Sequence, residues 1–511
     1  MASRGVILLV INILRLTMMK RLLFIVFCLC NMAAACAEIY YSGAVIKVGD
    51  NYYTEFWDSE DESDDVRVML EYWGNAPDTL FVPATIDWGG EMAYVDMVDR
   101  GFFDYDDNLK AVIVDADNRT LSGHDGVLFS KDGTQLLGWP KAKAGVFTIG
   151  KDMNLDYSLL RERPLLTAIE VDEADTRFSS RDGVLFTKDG TQLLVCPAGK
   201  EGAYSVPQGV TKITGMAFQG CNMLNGLHLP ETVREIGNAA FQGCCQMRHV
   251  NIPEGVESLP SELFAQCKSL EELEIPSTVS SLGHSVFWDC NSLKTITIPA
   301  SVTKMEYDAL WYDYGTSDIL VDDANSVYMS IDGIVYTKDG TQLFHCPCGR
   351  TGTVTIAEGT TTLDHSFFCC EQLEKVVIPA SVDKISEATF SNCYSLHSIY
   401  AHREEPVLGK VWVFWPSENN YWLPSKCTIY VPQGCKERYQ RQDDNNWWSN
   451  FWIEEYEVTG ISEPVATAGN PVVSRYTLDG KQATGRNGLQ IVRRKDGTVR
   501  KEFLVSGLLQ L

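Results

Sequence analysis

Cys346-Pro347-Cys348 has a spacing that suits a metal or redox pair. No second pair of that kind and no spaced histidine pair follows it, and Cys196 holds the place of Cys346 in a related stretch, so zinc is not expected. The eight histidines (His124, His228, His249, His284, His345, His365, His397 and His402) form no helical pair, nucleophile elbow or cluster. No catalytic, cofactor-binding or metal-ligating residue is therefore assigned, and the chain reads as non-enzymatic. Acidic loops carrying Asp115, Asp117, Asn118, Asp172, Asp175, Asp322 and Asn325 offer oxygen ligands for calcium. They lack the twelve-residue loop pattern, and turns built on Asx side chains are the commoner use. Trp412, Trp415, Trp422, Trp447, Trp448 and Trp452 crowd one end of the chain. They read as the closure of an exposed core, with a sugar-stacking platform as the alternative.

What must position these residues is a large apolar chain: 45% hydrophobic and 22% charged residues place it among proteins that bury a core. Lys20 and Arg21 precede the apolar run Leu22 to Cys30, and Ala35-Cys36-Ala37 offers a small-x-small cleavage site, the order of a secretory signal. Residues 1–37 are read as that signal, with Met19 as an alternative start and lipidation of Cys36 as an alternative route of anchoring. The net charge is −25 overall and −29 once the four basic residues of the leader are set aside. Such a surface repels phosphate backbones, so nucleic acid is not an expected partner.

Self-similarity decides the fold. Phe218, Phe241, Phe264 and Phe287 recur every 23 residues, as do Pro207, Pro230, Pro253, Pro276 and Pro299 and the cysteines Cys221, Cys244, Cys267 and Cys290. Within a unit, Leu270, Leu273 and Ile275 alternate at the end with Glu272 and Glu274, as a half-buried strand requires. The same pattern recurs at Met247, Val250, Ile252; at Leu293, Ile296, Ile298; and at Leu373, Val376, Ile378. The expected fold is a mainly β repeat solenoid with one parallel strand per turn. The columns of Phe218, Phe241, Phe264, Phe287, Phe367 and Phe390 and of Cys221, Cys244, Cys267, Cys290, Cys370 and Cys393 line its core, the cysteines as small apolar fillers.

Three intervals run 34 or 35 residues over the period, and each holds one duplicated element: DGVLFSKDGTQL at 125–136, DGVLFTKDGTQL at 182–193 and DGIVYTKDGTQL at 332–343. Apolar triplets flank a Lys-Asp-Gly-Thr turn, so each insert is expected to be a β-hairpin, near 115–150, 172–207 and 322–357. Residues 461–473 read as a linker, and 474–511, basic with Asp-Gly and Asn-Gly turns, as a small β module.

The unit of strand, Ile-Pro, Val-x-x-Ile-Gly, Ala-Phe-x-x-Cys, Leu resembles the BspA-like leucine-rich repeat surface proteins; Val233, Ile236, Gly237, Ala240, Phe241 and Cys244 match it one by one. Asp106 and Asp313 at the cysteine position and Leu160 and Leu310 at the phenylalanine position depart from it. The resemblance implies an N-terminal cap over 38–102, a leucine-rich repeat solenoid over 103–424, a C-terminal cap over 425–460 and a terminal module similar to C-terminal sorting signals. It further implies an exported protein, at the outer-membrane surface or secreted, with no transmembrane segment in the mature chain, that binds an extracellular protein or host-matrix ligand as an adhesin. Glycan binding and a structural or inter-bacterial scaffold are the alternatives. The ligand-face candidates are the outward strand residues His228, His249, Asn251, Glu272, Glu274, Thr295, Thr297, Lys375 and Tyr400, which an ordinary solvated strand face would equally explain.

Overall fold

A computed structural model describes residues 39–58, 65–72, 74, 77–408, 413, 427–441, 446–457, 472–476, 488–494 and 499–504. The signal, most of the linker, and Trp412, Trp415 and Trp422 lie outside the described residues. The described residues fall into two compact units, divided between Lys143 and Ala144.

The first unit is built on a five-stranded sheet, Ile39–Val48, Asn51–Asp58, Val66–Glu71, Glu91–Val98 and Thr85–Trp88 in spatial order. Alternation puts Val68, Leu70, Ala93 and Val95 on its buried face, where they meet Phe102, Phe103, Leu109 and Val112. Asp96, almost fully buried on the same sheet, is held by Arg67 Nε at 2.8 Å and Arg119 Nη2 at 2.9 Å. The first insert also belongs here.

In the second unit, successive turns stack as parallel strands: Gly202–Ser205, Leu224–His228 and His249–Val250 in one ladder, Thr295–Ile298 and Asp318–Val321 in another. A third runs through Gly352–Thr355, Leu373–Ile378, Ser398–Ala401, Thr428–Pro432 and Trp452–Tyr456. Regular turns add a second strand of two residues, mostly after the repeat proline, such as Lys212–Ile213 on Glu235–Ile236 and Ser258–Leu259 on Ser281–Leu282. One apolar residue in a two-residue strand is too short a signal for alternation to reveal.

The third side of each turn carries the phenylalanine column. Phe218, Phe241, Phe264 and Phe287 are fully buried, with centroids 5.6, 5.6 and 6.2 Å apart along the file, and Phe367 lies 5.2 Å from Phe390. Backbone bonds tie this side together: Phe241 N donates to Leu263 O at 3.1 Å and Phe264 N to Val286 O at 3.0 Å. The turn requires left-handed backbone at non-glycine positions, as at Ala239 and Glu262 (φ 54° and 58°), and cross-turn bonding holds them there. The column cysteines are buried too, and each thiol donates to a carbonyl of the preceding turn, Cys267 Sγ to Phe241 O and Cys290 Sγ to Phe264 O, both at 3.1 Å. They fill volume and also satisfy an acceptor.

Two expectations need amendment. The strand at Glu272 and Glu274 does not form: Leu270 and Ile275 are buried and Glu272 and Glu274 exposed as the alternation requires, yet only Glu271 N bonds to the preceding turn, at Arg248 O, 3.1 Å away. Beside the gap, Asn251 replaces backbone pairing with its side chain, accepting from Leu229 N and donating to Leu229 O, both at 2.8 Å. The inserts are three-stranded meanders, as in Phe178–Arg181, Val184–Thr187 and Gln192–Val195. The leading Asp-Gly of each element is itself a two-residue turn with φ positive at both positions, 53° and 72° at Asp182-Gly183. The Lys-Asp-Gly-Thr turn closes the other side: Asp189 Oδ1 accepts from Thr191 N at 3.0 Å and from the Thr187 and Thr191 hydroxyls. In the second and third inserts the last strand then joins the two-residue ladder, Leu193 opposite Ile213 and Leu343 opposite Leu363. The tail forms a separate antiparallel sheet of Val472–Tyr476, Gly488–Arg494 and Val499–Leu504.

Candidate functional site

The outward face of the parallel ladders is where a strand residue is aimed at solvent by the same pleat that aims its neighbour at the core. His228 and His249 are exposed there, but His249 stands opposite Gly226 in the ladder, so the two histidines occupy different rows. Thr295 and Thr297 are exposed in a separate ladder, opposite Asp318 and Leu320. Glu272 and Glu274 are exposed outside any ladder, and Asn251 is taken up by its bonds to Leu229. Only Lys375 and Tyr400 are brought together: Lys375 Nζ lies 3.8 Å from the centre of the Tyr400 ring.

That pair is the edge of a larger cluster. Register places Tyr400 opposite Tyr430, and their rings stack at 4.4 Å and 13°. The edge of Tyr456, from the last strand of the ladder, packs on Tyr400 at 5.3 Å, with His402 6.0 Å from Tyr456. Trp452, on the same last strand and opposite Thr428, is 73% exposed, the most open large apolar side chain of the described residues. Glu374 and Glu454 stand exposed on the same ladder.

The electrostatics follow from this packing. Burial first, then the neighbouring Tyr430 and Glu454, push the Tyr400 phenol up; burial and Tyr400 push Tyr456 up to about 12. These hydroxyls stay protonated near neutrality and act as donors. Burial lowers the His402 imidazole, with a smaller opposing effect from Glu358, so it is neutral at pH 7. One face of the Tyr400 ring lies on Tyr430 and its π-system is already engaged by the Lys375 ammonium, which leaves hydroxyls and ring edges for an incoming group.

Sequence reasoning missed Tyr430 and Tyr456 because the interval from Tyr400 to Tyr430 is 30 residues, outside the 23-residue period; only the ladder register reveals that they align. Trp447 and Trp448 are buried and stacked at 3.9 Å, and Trp448 Nε1 donates to Val407 O at 2.9 Å. They close the core at this end, while Trp452 does not. The acidic loops are turns: Asn118 Oδ1 accepts from Thr120 N and Leu121 N while its amide donates to Pro83 O and Val95 O, and Asn325 repeats this with Val327, Tyr328, Pro299 and Val302. Asp175 accepts from Arg177 N and Phe178 N. Asp115, Asp172 and Asp322 likewise each accept through Oδ1 from the amide two residues on, so these loops use their Asx side chains in turns.

A family model described as BspA type leucine rich repeat region matches residues 202–315 and 336–410 in six copies. Residues 202–315 and 336–410 are thus similar to BspA-type leucine-rich repeats. Among solved structures, a leucine rich cell surface protein from Faecalibacterium prausnitzii is similar at 19% identity, covering 82% of this chain and 96% of that one, with a TM-score of 0.37. A leucine-rich repeat protein from Bacteroides ovatus is similar at 14% identity, covering 83% and 100%, with a TM-score of 0.35. One from Eubacterium ventriosum is 20% identical over 49% of this chain and 75% of that one, at 0.36. No curated protein matches the chain. Among the described residues, no helix of this repeat protein is long and apolar enough to cross a membrane.

Proposed function

We propose that this BspA-type repeat protein is an exported, non-catalytic adhesin that recognises an extracellular protein through the outward face of its C-terminal ladder. The carrying observation is the cluster of Lys375, Tyr400, Tyr430 and Tyr456 with exposed Trp452 beside it. Tyrosine and tryptophan bring large contact area at low entropy cost, and rings already locked by stacking lose little freedom on binding. Hydrogen-bonded strands below them supply a rigid platform. A glycan ligand is the second reading; the engaged faces of Tyr400 disfavour sugar stacking there and leave Trp452 as the ring with a free face.

The test is solid-phase binding of the full chain to a panel of extracellular-matrix proteins and to a glycan array, beside the Tyr400→Ala/Tyr430→Ala and Trp452→Ala variants. Saturable binding to a protein, weakened at least tenfold by the double substitution, supports the proposal. Binding confined to glycans and abolished by Trp452→Ala supports the second reading, and binding untouched by all three substitutions removes this face from consideration.

A further inference from the structure

The three inserts provide an internal comparison. Counting from each element, the phenylalanine-type residue is followed three positions later by Asp106, Arg163 or Asp313, and the last insert strand contributes Gly138, Val195 or His345 and then Lys141, Ala198 or Cys348. In the first insert a side chain at Gly138 would collide with the ring of Phe103, and Asp106 is used by the amides of Asn108 and Leu109 at 2.8 and 3.1 Å. In the second, Arg163 is buried and donates to Leu159 O at 2.9 Å, and the corresponding insert positions hold the buried, apolar Val195 and Ala198. Only the third insert places three ligating side chains at these positions, with the smaller Leu310 in place of Phe103.

Asp313, His345 and Cys348 are 0%, 1% and 2% exposed, and one ligand atom of each lies within 4.8 Å of the other two. Asp313 Oδ1 accepts from Cys348 N at 2.9 Å, but Asp313 Oδ2 and both ring nitrogens of His345 have no hydrogen-bond partner. His345 Nε2 approaches Asp313 Oδ1 to 3.5 Å without hydrogen-bond geometry. Three orphaned polar atoms at the centre of a folded unit each cost roughly 1–3 kcal/mol, a burden a bound ion would lift.

We propose that Asp313, His345 and Cys348 bind a divalent transition metal of the zinc type. The donor set of one imidazole, one thiolate and one carboxylate suits zinc, whereas magnesium and calcium take oxygen alone. In the metal-free protein the Cys348 thiol donates to Phe368 O at 3.4 Å. On binding, its S–H bond breaks, the proton leaves to buffer and the sulfur electron pair bonds the cation. The dication, one thiolate, one carboxylate and a neutral imidazole then sum to zero, the charge a buried site tolerates. The fourth position is left to water or to a further neutral donor. The ion would pin the insert strand Gln342–His345 to the turn at Asp313.

The full chain, produced with zinc in the medium, should contain about one zinc per molecule by plasma mass spectrometry. Cobalt introduced during refolding should give a thiolate-to-cobalt charge-transfer band in the near ultraviolet. The double variant His345→Val/Cys348→Ala carries the residues the second insert uses at these places, so it should fold, keep all other cysteines, hold no zinc and lack the band. Wild-type protein with no stoichiometric metal, a cobalt spectrum without thiolate character, or equal zinc content in the double variant would each overturn the proposal. The cobalt spectrum of the wild type decides the matter even if the variant fails to fold.

Discussion

Phe264 is the ring on which the stacking account of the second unit can be judged most directly. It is fully buried, and its neighbours in the file, Phe241 and Phe287, lie 5.6 and 6.2 Å away. Replacing it with alanine removes the ring from contact on both sides and leaves a cavity that β-structure bonded from turn to turn cannot readily close. Buried phenylalanine truncations cost about 3–5 kcal/mol, and the upper half of that range applies when the walls are rigid. Because each turn touches only the turns beside it, the loss should stay local. In urea unfolding followed by circular dichroism, Phe264→Ala should lower stability by about 4 kcal/mol, while Glu272→Ala at an exposed position stays within about 0.5 kcal/mol. Hydrogen exchange should quicken at the amides of Phe241, Gly243 and Phe264, which bond across these turns, and remain unchanged at Val376. A cost below about 1 kcal/mol, or acceleration spread evenly over the unit, would refute the idea that a continuous aromatic file holds the repeats.

Asp96→Asn should destabilise the first unit by about 2–3 kcal/mol, a buried-pair loss reduced by the partial exposure of Arg67 and Arg119. Burial raises the Asp96 carboxyl, but hydrogen bonds from Arg119 and Arg67 outweigh it and hold it below its usual 3.8, so its stabilisation is present above that pH and lost as pH falls further; the gap between urea melts of wild type and variant should narrow as pH is lowered below 3.8. Asn251→Ala should cost about 1–3 kcal/mol in thermal or urea melts by orphaning Leu229 N and O, whereas Thr297→Ala on an exposed face should be near neutral. Burial pushes the thiols of Cys244, Cys267, Cys290 and Cys393 above their usual 9.0, so native protein at pH 8 should resist a thiol reagent at these positions, mapped by mass spectrometry, until unfolded. The same raised values mean that their stabilising effect is complete below pH 9 and declines above it, so the urea midpoint should fall between pH 9 and 11.

Residues that recur at a fixed interval announced themselves in the amino-acid sequence: the phenylalanine and cysteine columns, the strand before each proline and the three related inserts. Periodicity works there because each turn must offer the same apolar surface to the next, so one packing requirement is written many times. It was silent on the two-residue strands, which carry too few side chains to alternate, and on the Asp-Gly turns that make the inserts three-stranded, where both positive φ angles depend on the strands flanking them. It misled at Glu272 and Glu274, where the burial pattern of a strand persists although the strand does not form. Lys375, Tyr400 and Asp313 keep the repeat spacing, but Tyr430 and Tyr456, which complete the tyrosine cluster, and His345 and Cys348, which stand with Asp313, fall outside it. Intervening segments return them to neighbouring strands, so register and packing decide what one-dimensional spacing cannot encode.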